Sequence, residues 1–154
     1  MTNLVFEEIV PTASQIDALY ELLAQRNYGI SHQQMPKFSS HAAFVSSHPY
    51  RYWYLILDND KPIGSFYISN DNTIGIDLLD MSNAAAVESI FRFVQVNVPP
   101  LPAIKSVRAD AYSINVSPNN QQLIDALQSL NAHLLQLTYS VPNEYLLNYT
   151  QVFG

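Results

Sequence analysis

Between Tyr50 and Leu79 the chain spells three strand-like segments separated by two turns rich in asparagine and aspartate, and no other feature constrains the fold as much. Tyr50 to Leu57 is dense in aromatic and β-branched residues, Ile63 to Ser69 is its hairpin partner across Asp58-Asn59-Asp60-Lys61, and Thr73 to Leu79 follows Asn70-Asp71-Asn72. Strands joined by connections this short are antiparallel neighbours. They form the centre of a sheet, which helices must then cover.

The flanks supply those helices. Val5, Phe6, Ile9 and Val10 indicate a first strand ended by Pro11, after which Thr12 and Gln15 make a capping-box pattern. Ile16, Leu19, Tyr20, Leu22 and Leu23 recur at helical spacing. Asn27 to Phe38 reads as a long loop. Ser39 or Ser40 is the expected cap of a short helix carrying Ala42, Phe44 and Val45, which must stop before Pro49.

Ser82 or Asn83 is expected to cap a helix from about Ala84 to Val96, ended by Pro99-Pro100-Leu101-Pro102. Val107 to Val116 alternates apolar with polar residues and predicts a strand terminated by Pro118; a helix from Asn120 to Leu130 and a strand from Leu134 to Val141 follow. Tyr145 to Phe153 is a last extended piece. The expected class is α+β, one domain over 1–154, with a central mixed, mostly antiparallel sheet of 6–7 strands and helices on both faces. A strand–helix–strand step after the third hairpin strand implies one parallel pair.

Composition narrows function by exclusion. Of 154 residues 48% are hydrophobic and 13% charged, which is a globular composition able to bury a core without disulfides. The net charge of −6 comes without a basic block, so no nucleic-acid partner is expected. Cysteine is absent, which removes thiolate metal sites and a cysteine nucleophile. No apolar run is long enough for a membrane span and the amino terminus lacks a leader pattern, so a cytoplasmic protein without a membrane partner is expected. His32, His41, His48 and His133 have no ligand spacing, and no metal is expected.

The stretch Asn119-Asn120-Gln121-Gln122-Leu123-Ile124-Asp125-Ala126-Leu127-Gln128-Ser129-Leu130-Asn131-Ala132 resembles the last quarter of a GNAT-superfamily N-acyltransferase, whose pattern runs Asn-x-x-Ala-x-x-Leu-Tyr-x-x-x-Gly-Phe. Asn120 takes the Asn position, Leu123 the Ala, Ala126 the Leu and Asn131 the Gly, while Leu127 stands where many members carry the tyrosine that protonates the thiolate. The order of elements is also the GNAT order. The resemblance implies acetyl-CoA as co-substrate, a small-molecule amine as acceptor, and leaves a homodimer open.

In that superfamily the fourth strand and the loop after it hold the pantetheine arm and the pyrophosphate. Thr73-Ile74-Gly75-Ile76-Asp77-Leu78-Leu79 resembles that strand, which implies cofactor contacts from Leu78 and Leu79. The loop pattern Gln/Arg-x-x-Gly-x-Gly/Ala falls on Asn83, Ala84, Ala85, Ala86, Val87 and Glu88, so two glycines become Ala86 and Glu88 and the basic residues are missing. A glutamate in the first turn competes with a bound anion for free N–H groups. Asn83 with its alanines is either a pyrophosphate site or a well-capped helix start, and Asn120 is either a ligand contact or a cap.

Acyl transfer to an amine needs a base, and the candidates are Asp77, Asp80 and Asp110. Asp77 is either directed at a substrate cleft or an ordinary solvent-facing strand residue. Tyr112, two positions from Asp110 and on the same face of the expected strand, is the candidate acid in place of Leu127. The run His41-Ala42-Ala43-Phe44-Val45 with His48-Pro49-Tyr50-Arg51-Tyr52-Trp53-Tyr54-Leu55-Ile56, followed by Ile63-Gly64-Ser65-Phe66-Tyr67-Ile68, looks like a GNAT branch associated with amino-sugar and surface-polysaccharide biosynthesis, which implies an amino-sugar acceptor. On residue pattern alone, Tyr50, Tyr52 and Tyr54 line one side of a strand and Trp53 the other. Two functions remain open: an N-acetyltransferase acting on a small amine, or a degenerate GNAT-fold binding module that does not turn over acyl-CoA.

Overall fold

The computed structural model describes residues 3–26 and 35–144. Its elements run β1 (Leu4–Glu8), α1 (Ala13–Ala24), α2 (Phe38–Ser46), β2 (Tyr52–Asp58), β3 (Lys61–Ile68), β4 (Thr73–Leu78), α3 (Ala84–Asn97), β5 (Ser113–Ile114) and α4 (Gln121–Ser129). They build one sheet in the order β1-β2-β3-β4-β5, antiparallel through β4 and parallel between β4 and β5. Asn59 and Asp60 both take positive φ in the β2–β3 turn, as a two-residue hairpin loop requires.

A parity rule sorts the sheet's two faces, because successive strand residues point to opposite sides. Even-numbered Tyr54, Ile56, Phe66, Ile68, Ile74, Ile76 and Leu78 pack under α3 and α4, against Val87, Ile90, Val94, Leu123 and Leu127. Odd-numbered Trp53 and Leu55 face α1 and α2, with Leu19 and Val45. The helices cover both faces of the sheet.

Caps set the helix boundaries. The Thr12 hydroxyl accepts the Gln15 N–H at 3.2 Å. Gln15 reaches past the cap to the Val10 N–H and the Glu8 carbonyl, so it locks the end of β1 to the start of α1. Lys37 rather than Ser39 or Ser40 holds the N-cap of α2, without a side-chain bond, and both serines fall inside the first turn. Asn131 at φ 68° closes α4, with Ala132 N–H bonded to the Leu127 carbonyl and Asn131 N–H to that of Gln128.

One expected strand is shortened to two residues and another is not formed among the described residues. The sheet has five strands among the described residues, fewer than the 6–7 expected. Val107–Val116 contributes only Ser113 and Ile114, because the preceding backbone is captured elsewhere. Buried Asn72, at φ 63°, donates from Nδ2 to the carbonyls of Leu101 (2.9 Å) and Ala109 (2.8 Å) and accepts the Leu101 N–H (2.9 Å). Leu134–Val141 has strand alternation but no ladder partner among the described residues, and its large side chains are exposed. Tyr145–Phe153 and His32 lie outside the described residues.

Candidate active site

β4 carries the site because its two edges are used differently. Leu79 N–H donates to Ile63 and Ser69 N–H to Thr73, which fixes odd-numbered β4 residues as the ones bonded to β3. Even-numbered residues therefore aim their backbone groups at β5. There the ladder covers only Thr73↔Ser113 and Ile74↔Ile114. Past Ile74 the strands part, and the N–H and C=O groups of Ile76 and Leu78 stand on an open edge with no ladder partner among the described residues. Leu79, expected beside Leu78, has given its N–H to β3.

Asp77 lies between those two residues and points to the α1 face, opposite Ser65 on β3. The Arg26 guanidinium, just beyond α1, meets its carboxylate at 2.5 Å. The side chain keeps 36% exposure. Burial raises the Asp77 pKa above the ordinary carboxylate range, and the charge and hydrogen bond of Arg26 oppose that rise.

An aromatic wall stands beside this pair. Tyr50 stacks on Tyr67 with centroids 3.9 Å apart and planes at 7°, and Trp53 meets Tyr50 edge-on at 5.3 Å. The Tyr67 ring lies across Gly75 where a Cβ would otherwise stand, so the strand tolerates the ring only because residue 75 is glycine. Burial pushes the Tyr50 hydroxyl up to about 12, followed by repulsion from Tyr67 and Asp77, with Arg26 opposing. Burial and Asp77 raise Tyr67 in the same way. Tyr50 thus sits on the Trp53 side, not with Tyr52 and Tyr54, because it precedes β2 and escapes the strand's alternation.

The other expected catalytic residues do not join this cluster. Asp110 is exposed in the connector before β5. The Tyr112 hydroxyl donates to the Val98 carbonyl at 2.7 Å, and the residue precedes Ser113, which pairs with Thr73. Four residues of strand separate Thr73 from Asp77, which is roughly 13 Å at the usual rise. Asp110 and Tyr112 do not share a strand face either, since β5 begins after both.

The β4–α3 loop bonds the amides of Ser82, Asn83, Ala84, Ala86 and Val87 within itself. Asp80 accepts from the Ser82 N–H and hydroxyl, Asn83 N–H bonds the Asp80 carbonyl, and Ala84 N–H bonds that of Ser82. Asn83 Oδ1 takes the Ala86 N–H at 3.0 Å, and its carbonyl takes that of Val87. Ala85 is exposed, whereas Ala86 and Val87 are buried against the sheet. Glu88 reaches up the helix to Arg92 at 2.8 Å, away from the N-terminus. Asn120 caps α4 by accepting the Leu123 N–H at 3.2 Å and is buried.

Arg26, Ile76, Tyr50 and Tyr67 escape sequence reasoning as members of one site. Strand parity would have found Tyr67 beside Asp77. Nothing local marks Arg26, which approaches from 51 positions away. Two histidines serve structure: His41 Nε2 donates to the Ile16 carbonyl at 2.9 Å, joining α2 to α1, and His48 Nδ1 accepts the Tyr50 N–H at 3.2 Å, while His133 is exposed. Among the described residues no three of His, Asp and Glu come together as a metal set, and no helix is long and apolar enough to cross a membrane.

No protein-family model and no curated protein matches the sequence. Solved structures do match. An aminoglycoside N-acetyltransferase in complex with CoA superposes with a TM-score of 0.59 at 12% identity over 92% of this chain and 95% of its own. A possible acetyltransferase from Clostridium difficile gives 0.56 at 11% identity over 90% and 97%. An integron cassette protein of V. cholerae gives 0.61 at 8% identity over 96% and 98%. At these identities the likeness shows the fold alone, and that fold is GNAT-like.

Proposed function

We propose that this chain, which has the GNAT fold, is an N-acetyltransferase that moves an acetyl group from acetyl-CoA to the amine of a small molecule. The observation that carries the reading is the open β4 edge, where unpartnered backbone groups of Ile76 and Leu78 flank Asp77. A pantetheine arm, itself a chain of amides, fits such an edge as an added strand would. Acetyl-CoA supplies the activated acetyl thioester.

Asp77 is the base that takes the proton an ammonium acceptor must lose before its nitrogen can attack. Burial makes its carboxyl a better proton acceptor than a free aspartate, and the charge and hydrogen bond of Arg26 oppose that rise. The amine approaches from the α1 face, where half-buried Tyr50 and Tyr67, backed by buried Trp53, offer aromatic surface. An amino sugar suits that wall, because the apolar face of a sugar ring packs on aromatic rings while its amine reaches the carboxylate.

One observation favours a second reading, a GNAT-fold module that does not turn over acyl-CoA. Asp80, Ser82 and Asn83 take the amides of Ser82, Asn83, Ala84, Ala86 and Val87 within the β4–α3 loop, which leaves fewer N–H groups for a pyrophosphate in the conformation the loop holds. The absence of cysteine makes the two readings easy to separate, because a thiol reagent detects released CoA without background from the protein. Turnover with amino sugars in a panel of small amines is the expected result. Acetyl-CoA at about a hundred times its dissociation constant should add about 2.7 kcal/mol of stability. No thermal shift at millimolar acetyl-CoA and no thiol release with any amine would establish the second reading instead.

A further inference from the structure

Asp77 already holds a cation. The Arg26 guanidinium meets its carboxylate at 2.5 Å, where an acceptor's ammonium must come for the carboxylate to remove its proton. An ammonium that is the only charge of its molecule sets two cations on one carboxylate, and like charges at contact distance repel. Displacing Arg26 does not relieve this, because its side chain is only 29% exposed and would lose its partner.

The backbone keeps Arg26 beside the site. Its N–H donates to the Leu23 carbonyl at 3.2 Å in the closing turn of α1, which fixes the point from which the side chain starts. The Asp77 charge raises the pKa values of Tyr50 and Tyr67 and the Arg26 charge lowers both, so the two charges face one aromatic wall. The other arginines are engaged elsewhere: Arg51 donates to the Pro99 carbonyl, Arg92 to Glu88, and Arg108 to the carbonyls of Pro102 and Asn70. The site therefore offers one guanidinium, whose planar fork matches a single carboxylate.

We propose that the amine taken by this site also carries a carboxylate, so that the ligand exchanges the Arg26–Asp77 pair for two pairs of its own, ammonium on Asp77 and carboxylate on Arg26. Arg26 then determines acceptor specificity, and the acceptor class narrows from amines at large to amino acids and carboxylated amino sugars. Both kinds bring an apolar face for Tyr50 and Tyr67. The inference rests on the proposed acetyl transfer only in taking Asp77 as the contact of the amine.

Calorimetry on the full chain with saturating CoA tests it, at about pH 6, where such amines are ammonium ions. The probes are phenylalanine against its methyl ester and muramic acid against its methyl ester, so that the ester of each pair lacks the anion. The acid of at least one pair should bind roughly ten- to a hundredfold more tightly than its ester, the scale of hydrogen bonds to a charged group, and the pair that shows the preference tells amino acid from amino sugar. Arg26→Gln should erase the preference. Arg92→Gln, which removes the same charge from the flank of α3, should keep it. Equal affinity within both pairs would overturn the inference, as would no binding by any of the four probes, or a preference that survives in Arg26→Gln. Thiol release from acetyl-CoA, followed in parallel, separates the two claims. Turnover without a carboxylate preference sinks this inference alone, whereas an Arg26-dependent preference without turnover leaves the amine and carboxylate site standing and sinks acetyl transfer.

Discussion

Asp77 and Arg26 are 51 positions apart in sequence and form the one ion pair among the described residues that joins two elements around a backbone edge. Under the proposed chemistry kcat/KM rises with pH through the raised Asp77 value, because only the carboxylate accepts the proton. Asp77→Asn should lower kcat/KM by about 10²–10⁴-fold and abolish that rising limb. Arg26→Gln removes the opposing charge and should move the limb to higher pH, which a pH profile of the two proteins reads directly. Stability follows the same sign. A carboxyl whose folded value is raised contributes stability that is complete below its unfolded value and is lost as pH rises through the folded one. The Tm difference between native and Asp77→Asn protein should therefore shrink or change sign between about pH 3 and 7. Asn72 is the structural counterpart: Asn72→Ala strands the Leu101 amide and two carbonyls, and denaturation should show a loss of about 2–4 kcal/mol. Its side chain serves three backbone groups that lie 29 and 37 positions on, so the sequence shows it only as a turn residue.

On the proposed reading the amino end of α3 faces the pyrophosphate of acetyl-CoA. Glu88 is bound to Arg92 on the helix flank, so Glu88→Ala should leave acetyl-CoA affinity within about twofold, the scale of an exposed side-chain pair. Asp80 is different, since its carboxylate holds the Ser82 amide at the helix entrance. Asp80→Ala should tighten acetyl-CoA binding, measured by calorimetry on folded protein, by removing a negative charge and releasing that N–H. What the sequence disclosed about elements depended on where their partners lay. Hairpins at 58–61 and 70–72 and the caps at Thr12, Asn83 and Asn120 were legible because turn and cap chemistry is local. Val107–Val116 alternates like a strand, but Asn72 captures Ala109 and leaves only two residues to pair. Leu134–Val141 carries a strand's pattern but has no ladder partner among the described residues, because alternation records a face to be buried and not the strand that pairs with it.

Across the whole molecule, one parity separates two jobs. Even-numbered strand residues build the large core beneath α3 and α4, while odd-numbered ones face α1 and α2 and include Asp77. Fold and site are linked at β4, whose even residues are apolar in side chain yet carry the free backbone groups. The sequence suggests Leu78 as a cofactor contact and Asp77 as a base, and both remain part of the proposal; the open backbone edge at Ile76 and the internal bonds of the loop emerge only from register and hydrogen bonding. On the proposed reading the edge past Ile74 receives the pantetheine arm, and backbone amide exchange measured residue by residue reads that contact. With saturating acetyl-CoA, the Ile76 and Leu78 amides should gain protection of about tenfold or more while Asp77, already bonded to β3, changes little. Unchanged exchange at Ile76 and Leu78, under conditions where acetyl-CoA is shown to bind, would contradict the account.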